Sequence, residues 1–402
     1  MDLLLQNETG RSQTVKRLLT RIFNILTREE YELYPGLLTG NSGIILFLAR
    51  YYKYVTPDDE ALKRIGYLLD KVFVAANTIQ LAPSFASGYS GIAWLLFHLR
   101  DLEIVEYNDY KDAIDQLLDE VRESLATDLR NNEYDVLYGF AGKYFHYRND
   151  KSIKAGIESW LQLNTHRTAS GVYVLYEGQV NLGLAHGLPG IGLFILQHDF
   201  PLEYAMGLGH FLVSSGKALS RGAEPVSIFP NTLEPGQPEN SSVYTPSRYA
   251  WCYGDPGILL FLATLYQTGN NPEVYSLMEV LTDSCNRRDL TNGHIAYLDA
   301  LETFDIGFCH GLCGIVHLHK KINALLPAQL KLTNEKYWKD LLVQETDRFI
   351  DAFSLLKPAT ATTGEVDLLG LLEGLAGAGV VLIDELYEQN SLIPWDTLVT
   401  TL

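Results

Sequence analysis

One glycine pattern recurs seven times along this chain: Gly, two residues, Gly, and then, in most copies, an aliphatic run. The copies read LTGNSGIILFL from Leu38, ASGYSGIAWLL from Ala86, LYGFAGKYFHY from Leu137, AHGLPGIGLFI from Ala185, CYGDPGILLFL from Cys252, CHGLCGIVHLH from Cys309 and LEGLAGAGVVL from Leu372. The first glycines, Gly40, Gly88, Gly139, Gly187, Gly254, Gly311 and Gly374, are separated by 48, 51, 48, 67, 57 and 63 residues. A lone GxxG carries no information. Seven copies at this spacing, each opening an apolar segment, define a structural repeat.

Each copy is preceded by an amphipathic segment. Val15, Leu18, Leu19, Ile22 and Phe23 fall on one helical face, as do Leu62, Ile65, Leu68, Leu69 and Val72. Thr56 as N-cap with Pro57 at the first helical position, and Asn271 before Pro272, read as helix starts. Similar segments cover roughly 110–128, 150–164, 201–219 and 334–356. The unit is therefore helix, glycine-rich loop, helix. The helices after the glycines are the more uniformly apolar and so the more buried. Seven such pairs either stack as an open solenoid or close into an α/α toroid with the loops at one end. Buried inner helices favour closure, because an open solenoid leaves a wet concave face. The expectation is an all-α chain forming one domain over 1–402. Two excursions, about 166–180 and 220–247, supply a small appended β element: GVYVLYEGQV from Gly171 is rich in Val and Tyr, and Ser220 to Ser247 in Pro, Ser, Asn and Gly.

Charge narrows the function. With 31 basic and 49 acidic residues, a formal net charge of -18, the chain is ill suited to nucleic acid and better suited to neutral or cationic partners. Its longest apolar run, Gly257 to Tyr266, falls well short of the roughly 20 residues a bilayer span needs, and the N-terminus lacks a secretory apolar region. The expected compartment is the reducing cytoplasm. There, Cys252, Cys285, Cys309 and Cys313 read as core residues, metal ligands or catalytic groups rather than disulfides.

Aligning the copies identifies the slots where chemistry replaces packing. The two residues before the first glycine are Leu38-Thr39, Ala86-Ser87, Leu137-Tyr138, Ala185-His186, Cys252-Tyr253, Cys309-His310 and Leu372-Glu373. Two consecutive copies put a cysteine in one slot, and two copies put a histidine in the next. Neighbouring repeats lie roughly 10 Å apart, so Cys252, Cys309 and His310 can meet at one ion. Two thiolates and an imidazole with a free position form a catalytic zinc donor set; the competing reading is that both cysteines are small core residues. His186 is either an acid–base group or a hydrogen-bonded residue at a helix start. Asp135 is either the group that charges His186 or a cap. Arg248 is either an active-site cation or a solvated surface residue. Cys313 occupies a slot that is small in every copy and reads as packing, His317 as a core or partly exposed histidine, and Cys285 as inert.

WCYGDPG from Trp251, CHG from Cys309 and NLGLAHGLPG from Asn181 resemble the motifs of the C-type lanthionine synthetases, and LLEGLAG from Leu371 is similar to that family's last repeat. The resemblance covers essentially the whole chain. It implies an α/α toroid of seven helix pairs with a small β-containing element, one Zn²⁺ held by Cys252, Cys309 and His310, and catalytic roles for His186, Asp135, Tyr253 and Arg248. It also implies a stand-alone cyclase acting on a dehydrated precursor peptide. Cysteine thiols would add to dehydroalanine and dehydrobutyrine to form thioether rings. A dehydratase and a peptide exporter are implied as partners, with peripheral association to the inner face of the membrane through that complex. Lys143, where the other copies are apolar, and Tyr138 depart from the pattern and bear on local packing. Two further readings of the same zinc logic are a prenyltransferase-like thiol alkylation and a zinc- or glutathione-binding scaffold without ring formation.

Overall fold

The computed structural model describes residues 2–28, 34–219, 227–235, 246–355, 368–387 and 392–396. Within them the helices fall into seven pairs. They are α1 (Asp2–Arg28) with α2 (Asn41–Arg50), α3 (Asp59–Thr78) with α4 (Tyr89–Asp101), α5 (Tyr107–Asn131) with α6 (Ala141–Tyr144), and α7 (Lys151–Asn164) with α8 (Leu188–Gln197). The remaining pairs are α9 (Leu202–Leu219) with α10 (Asp255–Gly269), α11 (Pro272–Asn286) with α12 (Leu312–Leu325), and α13 (Glu335–Phe353) with α14 (Leu375–Leu386). The second helix of each pair opens at the glycine motif, with Gly40, Gly88, Gly187, Gly254 and Gly374 as N-caps.

The two helix sets differ as their apolar patterns dictate. Every residue of α2 is buried, whereas α3 buries one stripe, Ala61, Ile65, Leu68, Leu69 and Val72. Ala61 takes the place in that stripe expected of Leu62. The cap of α3 also differs from expectation: the N-cap is Asp58, whose carboxylate accepts the Glu60 N–H at 2.8 Å, rather than Thr56. Asn271 caps α11 as expected, through the N–H groups of Glu273 and Val274. The third inner helix, α6, is a single four-residue turn followed by a 3-10 turn. Its buried Lys143 needs a counter-ion, and Asp128 supplies one at 2.6 Å.

The chain divides into two compact units. The first comprises Met1–Arg122, Ala296–Cys313 and Tyr337–Trp395. Here α14 packs on α1 and α2, so the last repeat lies beside the first. The wholly buried Arg50 ties them together, donating to Asp384 and to the Ile393 carbonyl at 2.7 Å each. The second comprises Glu123–Ile295, Gly314–Lys336 and Asp396–Leu402. Here α8 packs on α9 and α10, and α10 on α11. It carries the hairpin β1 (His166–Thr168) and β2 (Gly171–Tyr173), which rests on α9, and an antiparallel pair, β3 (Val180–Asn181) with β4 (Thr232–Leu233). The two excursions of the sequence thus pair with each other at β3 and β4. Residues 220–226 and 236–245 of the second excursion lie outside the described residues. In the first unit, β5 (Tyr297–Leu298) pairs with β6 (Thr303–Phe304).

Candidate metal and catalytic site

The glycines are required because the backbone folds back onto them. An added Cβ at Gly88 would lie 1.6 Å from the Ala82 carbonyl oxygen, and one at Gly91 would lie 2.1 Å from that of Phe85. In both cases the obstructing carbonyl belongs to the residue six positions earlier. The same register recurs at Gly40, Gly139, Gly187, Gly254 and Gly311. Neighbouring loops are then stitched through the residue two before the first glycine. In the first unit, Cys309 N–H donates to the Leu372 carbonyl, Leu372 N–H to Leu38 and Leu38 N–H to Ala86. In the second, Ala185 N–H donates to Cys252. That residue is buried in all seven copies, while the residue after it is at least partly exposed in all seven. Each loop therefore opens one side chain to the outside: Thr39, Ser87, Tyr138, His186, Tyr253, His310 and Glu373.

Against that background the cysteine and histidine copies are a donor set that could hold a metal ion. One ligand atom from each of Cys252, Cys309 and His310 lies within 4.8 Å of the others. Two thiolates and an imidazole are the donor chemistry of a Cys₂His zinc site, so the residues fit that ion in kind. Both thiols are buried and the imidazole is half-buried. His310 Nδ1 lies 3.5 Å from Glu373 Oε2. Metal-binding histidines usually offer their second nitrogen to such a carboxylate. Asp305 also lies beside His310 and Glu373, but its Oδ1 is committed to the Gly307 N–H at 2.7 Å.

The histidine of the fourth copy meets the aspartate of the third. His186 Nδ1 is 3.1 Å from Asp135 Oδ2, while Asp135 Oδ1 accepts the Tyr138 N–H at 2.7 Å. Burial alone would raise the Asp135 carboxyl. The bond and charge of His186, the Tyr138 N–H and the Tyr176 hydroxyl outweigh it, and the carboxyl sits below its ordinary value. The Tyr176 ring lies 5.3 Å from that of His186. The same loop abuts the fifth copy, where the Tyr253 hydroxyl accepts from Asn181 Nδ2 at 2.9 Å and the Tyr253 ring lies against Gly183. Arg248 is exposed, and its carbonyl presses on Gly254, held at φ +109°.

Asp135 and His186 thus form one pair, with Tyr253 beside the His186 loop, and Cys252, Cys309 and His310 are a set that could hold an ion. The geometry does not fasten Arg248 to either. Cys313 is buried and burial pushes its thiol up. Cys285 is likewise buried, its thiol raised chiefly by desolvation. His317 is a core histidine with a partner the sequence did not reveal: its Nε2 lies 2.9 Å from Asp396, which Lys321 also contacts at 2.7 Å. Sequence reasoning also missed Asn181, Asp305, Glu373 and Tyr176. Asn181 and Asp305 both stand six residues before a first glycine and both accept the N–H two residues on, a register the alignment could have exposed. Tyr176 lies outside the repeat and carried no such signal.

Among the described residues no helix is long and apolar enough to cross a membrane. A profile of the family described as lanthionine synthetase C-like protein matches residues 31–399. The chain is 25% identical over 400 residues to the nisin biosynthesis protein NisC of Lactococcus lactis subsp. lactis, covering 88% of this chain and 86% of that protein. A solved structure of nisin cyclase superposes with a TM-score of 0.70 at 21% identity over 97% of each chain. That likeness shows the α/α toroid fold expected from the repeat. The chain belongs to the lanthionine synthetase C-like protein family.

Proposed function

We propose that this protein is a zinc-dependent lanthipeptide cyclase, which adds cysteine thiols of a dehydrated precursor peptide to dehydroalanine and dehydrobutyrine. The observation that carries the reading is the Cys252, Cys309 and His310 group, its ligand atoms within 4.8 Å of one another, in a chain of this family. A zinc ion held there would keep a substrate thiol as its thiolate at neutral pH. Cys252 and Cys309 as thiolates would offset the charge of a bound ion and leave a substrate sulfur electron-rich.

The residues of the chain carry the rest. A C–S bond forms at the alkene β-carbon, negative charge moves onto the neighbouring carbonyl oxygen, and a proton is delivered to the α-carbon. The thiol proton lost and the C–H gained balance, so peptide mass is unchanged. Asp135 faces Nδ1 of His186, which leaves Nε2 to hold and deliver the α-carbon proton. Arg248 is assigned to the developing enolate oxygen, and the hydroxyl of Tyr253 is the alternative donor to the α-carbon. A reducing cytoplasm would keep the cysteines of enzyme and peptide available as thiols for this chemistry. A dehydratase supplies the substrate chemistry this site requires, and an exporter for the ringed product would bring the cyclase to the inner face of the membrane.

The test is incubation with a dehydrated, cysteine-containing precursor, with and without chelator. Loss of free peptide thiol at constant mass, abolished by chelator and restored by zinc, is expected. Metal and thiol binding without ring formation would instead identify a scaffold. A requirement for a prenyl diphosphate would identify a different alkylation.

A further inference from the structure

We infer that Asn181 is a positioning residue of this site: its amide donates to the Tyr253 hydroxyl oxygen and so keeps that hydroxyl a hydrogen donor to the reacting peptide. The inference rests on the role proposed for Tyr253 and deepens it.

Asn181 is only 4% exposed, and both ends of its side-chain amide are engaged. Oδ1 accepts the Gly183 N–H at 2.8 Å, and Nδ2 lies 2.9 Å from the Tyr253 hydroxyl oxygen. A backbone N–H only donates, so the amide atom facing Gly183 must be the oxygen. The atom facing Tyr253 is then the nitrogen, which also only donates. The phenol oxygen therefore accepts, and its own hydrogen is directed away from Asn181. Flipping the amide would set two donors face to face and leave the Gly183 N–H without its acceptor, which is costly at a buried position. When Tyr253 protonates the α-carbon, its O–H bond breaks as the C–H bond forms, and the oxygen, still accepting from Asn181, regains a proton from water.

Tyr253 and Asn181 are both firmly mounted. Tyr253 is half-buried, and its ring lies against Gly183, where an added Cβ would meet Cδ1 and Cε1 at 2.8 Å each. Asn181 pairs with Thr232 across β3 and β4, and the next N–H, of Leu182, donates to the Asn231 carbonyl at 2.9 Å. The segment leading into β4 is tied in turn to the fifth copy. The buried Asp255 carboxylate accepts the N–H groups of Ile228 and Phe229 at 2.9 and 3.1 Å and the Ser284 hydroxyl at 2.7 Å. The two excursions, which the helical repeat does not require, thus meet at the residue that aims Tyr253.

The sixth copy shows what the amide adds. Asp305 stands in the same register, six residues before the first glycine, and accepts the Gly307 N–H at 2.7 Å. A carboxylate therefore performs the backbone task as well. The amide of the fourth copy contributes a donor besides, and that donor faces Tyr253. Asn181→Asp accordingly keeps the loop bond and reverses the other, because a carboxylate would draw the phenol hydrogen to itself.

In the substrate-free protein, the Asn181 side-chain signal of an asparagine-selective nitrogen NMR spectrum, identified by its absence from Asn181→Asp, should shift in Tyr253→Phe. With a dehydrated peptide, kcat for Asn181→Asp should fall about 10-fold with KM nearly unchanged, and Tyr253→Phe should fall at least as far. Added to Tyr253→Phe, Asn181→Asp should cost little more, because coupled residues are not additive. Thermal melts of the variants separate loss of position from loss of fold. An amide signal unmoved by Tyr253→Phe would overturn the inference, as would an equal loss from Asn181→Asp with and without the Tyr253 hydroxyl, or a loss expressed only in KM. Were the unaltered protein inactive on the peptide, the proposed function would fall, and the amide spectrum would still decide whether Asn181 holds the phenol.

Discussion

Lys143→Met tests how the third repeat holds Asp135 in place. Lys143 is the third residue of the shortened inner helix, at a slot where other copies are apolar, and Asp128 lies in the last turns of α5. Their side chains are 2% and 4% exposed and 2.6 Å apart. The pair closes the loop between α5 and α6, which carries Asp135, and the Asp128 carbonyl takes the Glu133 N–H at 3.0 Å. At 2.6 Å and an effective dielectric near 20, the gross attraction is about 6 kcal/mol, much of it offset by desolvation. Removing one partner of such a pair costs about 3–5 kcal/mol, or roughly 4–6 °C in melting temperature for a chain of this length. Burial already pushes the Asp128 carboxyl up to about 6, against the pull of Lys143. Without Lys143 it rises further. A carboxyl raised in the folded state loses stability as pH increases through its folded value, so the deficit should be full near pH 8 and should narrow or reverse near pH 5. Differential scanning fluorimetry at the two pH values reads this directly, and Asp128→Leu added to Lys143→Met should recover most of the loss. An equal deficit at both pH values, or no recovery in the double variant, would refute the argument.

Other outcomes follow from the same geometry. By elemental analysis the unaltered protein should carry about one zinc, and Cys252→Ala and Cys309→Ala should each lose it while keeping the helical circular dichroism spectrum; full metal retention in either would exclude that cysteine as a ligand. Glu373→Gln should weaken zinc binding about 10-fold in competition with a chelating dye, because Glu373 lies beside the His310 nitrogen; unchanged affinity would remove it from the metal's support. Gly88→Ala, whose new Cβ would fall 1.6 Å from a carbonyl oxygen, should cost roughly 2–3 kcal/mol. Gly66→Ala, in α3 with nothing near, should instead gain about 0.5–1 kcal/mol. Chemical denaturation that found the two alike would undo the account of the repeat.

How much of this could be read beforehand depends on whether a residue stands in the repeat register. The helix pairs, the buried inner set and the ligand group all follow from the seven aligned loops, because each glycine marks a place where the backbone admits no side chain. Once that contact is fixed, the residue two before the glycine is committed to the ladder between loops and buried, and the residue after it is the one that opens outward. A cysteine in the first slot and a histidine in the second are therefore predictable as a buried thiol beside an accessible imidazole. The pairing of His186 with Asp135 was half legible: each stood in a loop, but only folding brings residues 51 positions apart to 3.1 Å. Lys143 was visible as an anomaly, and its partner Asp128, on the preceding outer helix, was not. Glu373 stood in the same outward slot as His310, yet its role exists only because the seventh loop lies next to the sixth. Tyr176 had no register at all, since the excursion that carries it belongs to one repeat alone. The repeat thus supplies the parts of the site that any copy could offer, and what distinguishes this site from a plain metal centre comes from residues that break the repeat.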